Sequence, residues 1–66
     1  MARPAKRFRW FEFEVEEFGP KNADGQLIDV DKYIVSRPDG TYVCDVATLT
    51  AEVLRVVRMR EKERAV

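Results

Sequence analysis

The stretch FRWFEFEVEEF, residues 8–18, decides the fold class of this chain. Phe11, Phe13 and Val15 alternate with Glu12, Glu14 and Glu16. This period of two is typical of a β-strand with one buried face. The remaining large side chains, Phe8, Trp10 and Phe18, have the same parity as the glutamates. The pattern therefore predicts one long strand with aromatic side chains on both faces, one covered by the chain itself and the other by a partner.

Extended structure is predicted to resume at Leu27, and residues 27–31 are read either as a paired strand or as an ordered loop. Residues 37–41, RPDGT, predict a tight hairpin because proline presets φ and glycine takes the left-handed position after it. The returning strand is expected over residues 42–46. A helix follows with Thr50 as its N-cap and Glu52 in its first turn. The predicted class is α+β: a two- or three-stranded antiparallel sheet followed by one C-terminal helix (β-β-α or β-β-β-α).

The length of the chain limits what it can bury. A domain of 66 residues buries only about 60% of the surface that its unfolded chain exposes, so small domains usually need a crosslink, a metal or a partner. Cys44 is the only cysteine and there is no histidine, a composition that excludes a disulfide within the chain and disfavours a Cys/His metal site. No apolar run reaches the roughly 20 residues of a membrane helix. We therefore expect a cytoplasmic chain that associates with itself or with another protein.

Charge is balanced overall but segregated along the chain. Residues 11–31 contain seven acidic residues and one lysine, whereas residues 51–66 contain five cations and three glutamates. The N-terminal segment, residues 1–9, is a basic arm. Such segregation favours contacts between copies or with a charged partner, and does not predict a strong polyanion binder. The charged residues expected to contact a partner are Arg3, Lys6, Arg7, Arg9, Glu12, Glu14, Glu16, Arg55, Arg58 and Lys62.

No arrangement of residues predicts catalysis. Glutamates two residues apart on a strand are about 7 Å apart, which is too far for a shared proton. The acids around Gly25 do not fit the spacing of a calcium loop. Cys44 is expected to be a small buried hydrophobe, because no neighbouring base is evident. We therefore predict that the chain is not an enzyme and that it has no catalytic residue, metal, cofactor or small-molecule substrate.

Three short stretches carry a resemblance to a known family. Residues 15–18 (VEEF) resemble the end of its first strand, and residues 39–42 (DGTY) with Asp45 and Val46 resemble its hairpin. Residues 48–55 have the spacing T-x-x-A-x-x-L-R that the family shows at its helix. In these stretches the chain resembles the N-terminal dimerisation domain of the actinobacterial H-NS-like nucleoid silencers, a β-β-α unit. The Arg-Gly-Arg hook of the family's second, DNA-binding domain has no counterpart in this sequence.

The resemblance implies a dimer built from the strands and helices of two copies, with residues 2–9 as a linking arm. Any contact with nucleic acid is then expected to be indirect.

The domain boundaries expected are a basic flexible arm over residues 1–7, a single domain over residues 8–60 and a fraying charged helix end over residues 61–66. The core and interface residues expected are Trp10, Phe11, Phe13, Val15, Tyr42, Val53, Leu54 and Val57.

Three functions follow as hypotheses. The first is an oligomerisation and protein-interaction module, regulatory and nucleoid-associated, which is either part of a chromatin-like silencer or a stand-alone relative that co-assembles with a full-length silencer. The second is a small phage-like inhibitor or adaptor that docks its acidic strand face on a basic host protein and occludes it. The third is a DNA-binding module that inserts its sheet into a groove, which the balanced charge disfavours.

Overall fold

The fold is a four-stranded antiparallel sheet with one helix packed on one face. A computed structural model describes residues 2–64 of the chain. The strands are β1 (Arg7–Trp10), β2 (Phe13–Phe18), β3 (Lys32–Ser36) and β4 (Tyr42–Val46), and the helix α1 (Ala51–Arg64) follows them. The sheet order is β1-β2-β3-β4, so every strand pairs with its neighbour in the chain. The α+β class is confirmed, and the prediction of two or three strands is corrected to four.

The extra strand comes from residues 8–18, which form a hairpin and not one strand. Trp10 pairs with Phe13 and Phe8 pairs with Val15, with residues 11 and 12 as the turn between β1 and β2. Residues directly opposite each other in a ladder lie on the same face of the sheet. Phe8 and Trp10 therefore lie on the face of Phe13 and Val15, and the prediction that they lie with the glutamates is wrong.

The local signals further along the chain are confirmed. The turn between β3 and β4 has Gly40 at φ 93°, and the Gly40 N–H donates to the carbonyl of Arg37 at 2.9 Å. The Thr50 hydroxyl accepts a hydrogen bond from the Val53 N–H at 3.2 Å, as an N-cap does. Residues 27–31 contain no named strand. Leu27 alone forms isolated bridges, one with Arg3 and one with Lys21.

The core lies between the sheet and α1. Its buried side chains are Phe13, Val15, Val35, Val43, Cys44, Leu54 and Val57. Phe8, Trp10, Tyr33, Val46, Leu49 and Val53 pack around this core half-buried. Leu54 and Val57, one turn apart on α1, supply the helix's share of the core. No helix in residues 2–64 is long and apolar enough to cross a membrane.

Candidate interaction surface

The turn of the first hairpin holds an aromatic residue in an unfavourable conformation. Phe11 has φ 57°, and it is the one non-glycine residue between Ala2 and Arg64 with a positive φ. The first position of a two-residue hairpin turn with positive φ favours glycine or asparagine, because a side chain clashes there. Phe11 is nevertheless 63% exposed. The side chain of Phe11 therefore gains little free energy from burial to offset the unfavourable positive φ of its backbone.

Two neighbours hold the Phe11 ring in place. The Trp10 ring meets it edge-on with 6.0 Å between centroids. The Arg58 guanidinium lies over it, with Cζ 5.6 Å from the ring centroid. The electrostatic attraction between a guanidinium and the face of an aromatic ring favours this arrangement. The ring is therefore fixed on the surface by contacts from both β1 and α1.

Arg58 also fastens the turn to the helix. Its Nε and Nη2 donate to the two carboxylate oxygens of Glu12 at 2.8 and 2.7 Å. This bidentate bond lowers the pKa of Glu12 and raises that of Arg58. Glu12 and Arg58 were both predicted to contact a partner, but in the structure they bind each other.

A groove on α1 begins beside this turn. It encloses about 420 Å³ and is lined by Ala51, Leu54, Arg55, Arg58, Met59 and Lys62. Arg58 both lines the groove and contacts Glu12, so the groove adjoins the hairpin. Arg55 and Lys62 form no salt bridge with any residue in the range 2–64. The predicted basic stripe of the helix is therefore one wall of an open, partly apolar groove.

The face of the sheet opposite α1 carries charges of both signs. Arg7 lies opposite Glu16, and Arg9 lies opposite Glu14. Glu12 is in the turn and not on this face. On β4, Asp45 binds Lys32 and the Tyr42 hydroxyl at 2.8 and 2.9 Å. The row of glutamates expected on one strand face is thus interrupted by the turn and set beside arginines.

A second indentation, of about 460 Å³, lies between the two hairpin turns and α1. It is lined by Glu12, Phe13, Arg37, Pro38, Asp39 and Glu61. The Arg37 guanidinium and the Glu61 carboxylate form an ion pair there. Within residues 2–64, no three side chains that ligate metals are grouped closely enough to hold an ion.

The sequence did not indicate the most buried charge. Glu17 is 7% exposed and shares the parity of Phe13 and Val15, so it points toward the helix side of the sheet. Arg3 Nη1 and Nη2 donate to its two oxygens at 2.5 and 2.7 Å, and the Lys6 N–H donates at 3.0 Å. These bonds, above all those from Arg3, lower the pKa of Glu17 from 4.5 to about 2. The double glutamate at positions 16 and 17 was the available signal, because alternation must place one of them inward.

This ion pair also attaches the N-terminal segment to the sheet. The Arg3 N–H donates to the Leu27 carbonyl at 3.0 Å, and the Leu27 N–H donates to the Arg3 carbonyl at 2.7 Å. The Glu17 N–H donates to the Lys6 carbonyl, extending the ladder between β1 and β2. The described part of the expected flexible arm is thus bonded at both Arg3 and Lys6.

We expect Glu17→Gln to lower the free energy of unfolding at pH 7 by about 1–2 kcal/mol. This is a typical loss for hydrogen bonds to a charged group, kept at the low end because the Arg3 side chain is 41% exposed. The folded-state pKa lies below the unfolded one, so the stabilisation is present above pH 4.5 and lost as the pH falls toward 2. Urea unfolding at pH 7, 4 and 2.5 measures this difference. Glu16→Gln is the control, because Glu16 is an exposed neighbour without an ion pair inside residues 2–64; an equal effect of both variants contradicts the assignment.

The other residues predicted at the interface differ in their exposure. Tyr42, like Phe11, is exposed, and Trp10 and Val53 are half-buried. The remaining members are in the core of this chain: Phe13, Val15, Leu54 and Val57. Cys44 is buried as expected, and burial raises the pKa of its thiol.

The contacts of Arg58 join the turn of the first hairpin to the groove on α1. The structure thus brings together Trp10, Phe11, Arg55, Arg58 and Lys62 as one surface, which we call the hairpin–helix surface.

Comparison of this chain with protein-family models, with curated proteins and with solved structures found no match.

Proposed function

We propose that this chain is a non-enzymatic protein-interaction module that binds through the hairpin–helix surface. The observation that supports the proposal best is Phe11, which is exposed and has a positive φ. A strained residue persists where the surrounding structure holds it, and such residues cluster at functional sites. Phenylalanine and arginine are also enriched at protein interfaces relative to the rest of the surface.

The charges around Phe11 are consistent with binding to protein. Arg55 and Lys62 leave the groove basic, whereas the exposed Met59 gives it apolar contact area. An interface of this kind combines an apolar centre with a charged rim. The partner is another protein or a second copy of this chain, as the short, uncrosslinked sequence predicts.

The two other functional hypotheses have less support. An inhibitor that docks an acidic strand face needs a continuous row of carboxylates, but Arg7 and Arg9 lie opposite Glu16 and Glu14 on this face, and Glu12 is in the turn and binds Arg58. A sheet that enters a DNA groove needs a basic face, but the face of this sheet opposite α1 carries carboxylates beside its cations. Assembly with a nucleoid silencer rests on the sequence resemblance, which implies two strands where this sheet has four.

We expect Phe11→Asn to weaken association without loss of fold. Asparagine tolerates positive φ, so the free energy of unfolding should stay equal or rise by up to about 1 kcal/mol. Removing an aromatic anchor from an interface commonly costs 2 kcal/mol or more, a drop of roughly thirtyfold in affinity. Light scattering over a concentration series measures self-association, and affinity capture followed by cross-linking measures binding to another protein.

Ile28→Asn is the matched control, because Ile28 is 55% exposed but lies in the loop at the opposite end of β2. It should leave both kinds of association unchanged. If Phe11→Asn associates as strongly as the wild-type chain, the hairpin–helix surface is not the binding site.

A further inference from the structure

The outer edge of β1 has unpaired backbone groups. In the hairpin, Trp10 and Phe13 flank a two-residue turn and form a hydrogen-bonded pair, and the Glu17 N–H donates to the Lys6 carbonyl. Hydrogen-bonded and non-hydrogen-bonded pairs alternate along an antiparallel ladder. The N–H and C=O groups of Arg7 and Arg9 therefore point away from β2. Within residues 2–64 these groups have no backbone partner outside the ladder.

The other edge of the sheet is closed by two devices. The ladder between β3 and β4 shifts register at Val35 and Ser36, which interrupts regular pairing. The Arg64 guanidinium then donates to the Tyr42 carbonyl at 2.5 Å. Bulges and covering groups are the usual means of blocking an edge strand. The β1 edge has neither. Its protection consists of its length of four residues and the charges of Arg7 and Arg9, which oppose pairing with a basic strand but not with an acidic one.

The charges beside β1 discriminate between possible strands. Arg7 and Arg9 are exposed on the open face, and the basic groove of α1 adjoins the turn at the end of β1. Antiparallel pairing of two β1 strands centred on Phe8 sets Arg7 of one copy against Arg9 of the other. Like charges directly opposite each other are destabilising. A second copy of β1 is therefore disfavoured, and an acidic strand is favoured.

We propose that β1 binds an acidic extended segment of another protein, which adds a fifth strand to the sheet. The carboxylates of this segment would lie beside Arg7 and Arg9, and its alternate side chains would contact the half-buried Phe8 and Trp10. Main-chain hydrogen bonds give such complexes affinity, and side chains on alternate positions give specificity. This inference rests on the proposed function, since it specifies the chemistry of the partner.

The test uses a terminally blocked seven-residue peptide of alternating glutamate and valine. We expect it to bind the full chain and to slow amide hydrogen exchange at Arg7 and Arg9, measured by NMR. The amides of Phe8 and Trp10 should change little, because they already bond to β2. The same peptide with lysine in place of glutamate should bind at least about tenfold more weakly.

Two double variants separate local from general electrostatic attraction. Arg7→Gln with Arg9→Gln should weaken binding of the glutamate peptide about tenfold. Lys21→Gln with Arg60→Gln removes the same net charge from exposed sites away from this edge and should change binding less than twofold. Circular dichroism checks that both variants are folded.

Results of three further kinds would overturn this inference, besides failure of the peptide to bind. The first is peptide binding without protection of the Arg7 and Arg9 amides, or equal binding of the lysine peptide. The second is protection of these amides without peptide, rising with protein concentration, which would show pairing between copies. The third is a single-stranded oligonucleotide that binds more tightly than the peptide. If only the peptide fails while Phe11→Asn still weakens association, the edge proposal is wrong and the proposed function stands.

Discussion

Phe13→Ala is expected to unfold this protein or leave it barely folded. The Phe13 side chain is 2% exposed and lies in the core among Val15, Val35 and Leu54. Truncating a buried phenylalanine to alanine costs about 3–5 kcal/mol, from lost burial and from the cavity left behind. A domain of 66 residues has a stability of about 3–10 kcal/mol at typical values per residue. One substitution therefore removes a large part of the total.

Phe11→Ala provides the matched comparison. The same side chain is removed two residues away, from a position that is 63% exposed. We expect a change of less than about 1 kcal/mol, since little buried area is lost while the positive φ remains unfavourable for alanine. Urea unfolding followed by tryptophan fluorescence of Trp10 measures both variants. Equal destabilisation by the two substitutions would mean that the hairpin register is wrong.

Gly19→Ala is expected to have the second largest effect. A Cβ at this position would lie 2.2 Å from the backbone carbonyl oxygen of Asp29. The obstacle is main chain and cannot rotate away, so β2 and the loop that follows it must separate. That separation strains the bond from the Asp31 N–H to the Phe18 carbonyl, which is 2.9 Å long. Overpacking of this kind costs about 1–3 kcal/mol or more, and in so small a domain each kcal/mol lowers Tm by about 4–8 °C.

Gly25→Ala is the control for the glycine substitution itself. Gly25 has φ 77° and open space around its Cβ position. Only the backbone conformation should then oppose alanine, at a cost of about 1 kcal/mol. Differential scanning calorimetry compares the two variants. A smaller loss of Tm for Gly19→Ala than for Gly25→Ala would show that the loop yields without penalty.

The buried aromatic set shows how far a period of two can mislead. Phe11, Phe13 and Val15 have perfect alternation, yet Phe11 is exposed and Phe13 is buried. The turn at residues 11 and 12 contains no glycine, asparagine or proline, so no residue type indicates it. The remaining signal is a change of parity, from Phe8 and Trp10 at even positions to Phe13 and Val15 at odd ones. A two-residue turn produces this change because Trp10 and Phe13 face each other across it.

The hairpin–helix surface was only partly predictable, because it combines residues that are far apart in the chain. The stripe of Arg55, Arg58 and Lys62 follows from helical spacing, which is local. Its position beside Phe11 depends on a bond between Arg58 and Glu12, which are 46 residues apart. The role of Glu17 likewise depends on Arg3 reaching it from outside the sheet. Contacts between distant residues leave no fixed spacing in the sequence.

The amino-acid sequence by itself determined the α+β class, the β3–β4 hairpin and the start of the helix. Each of these depends on groups within a few residues of one another, such as the Thr50 hydroxyl and the Val53 N–H. The tertiary structure alone decided which aromatic side chains are buried and which sheet edge stays open. Both follow from how β1 pairs with β2 and where α1 packs, and many distant contacts together set those arrangements.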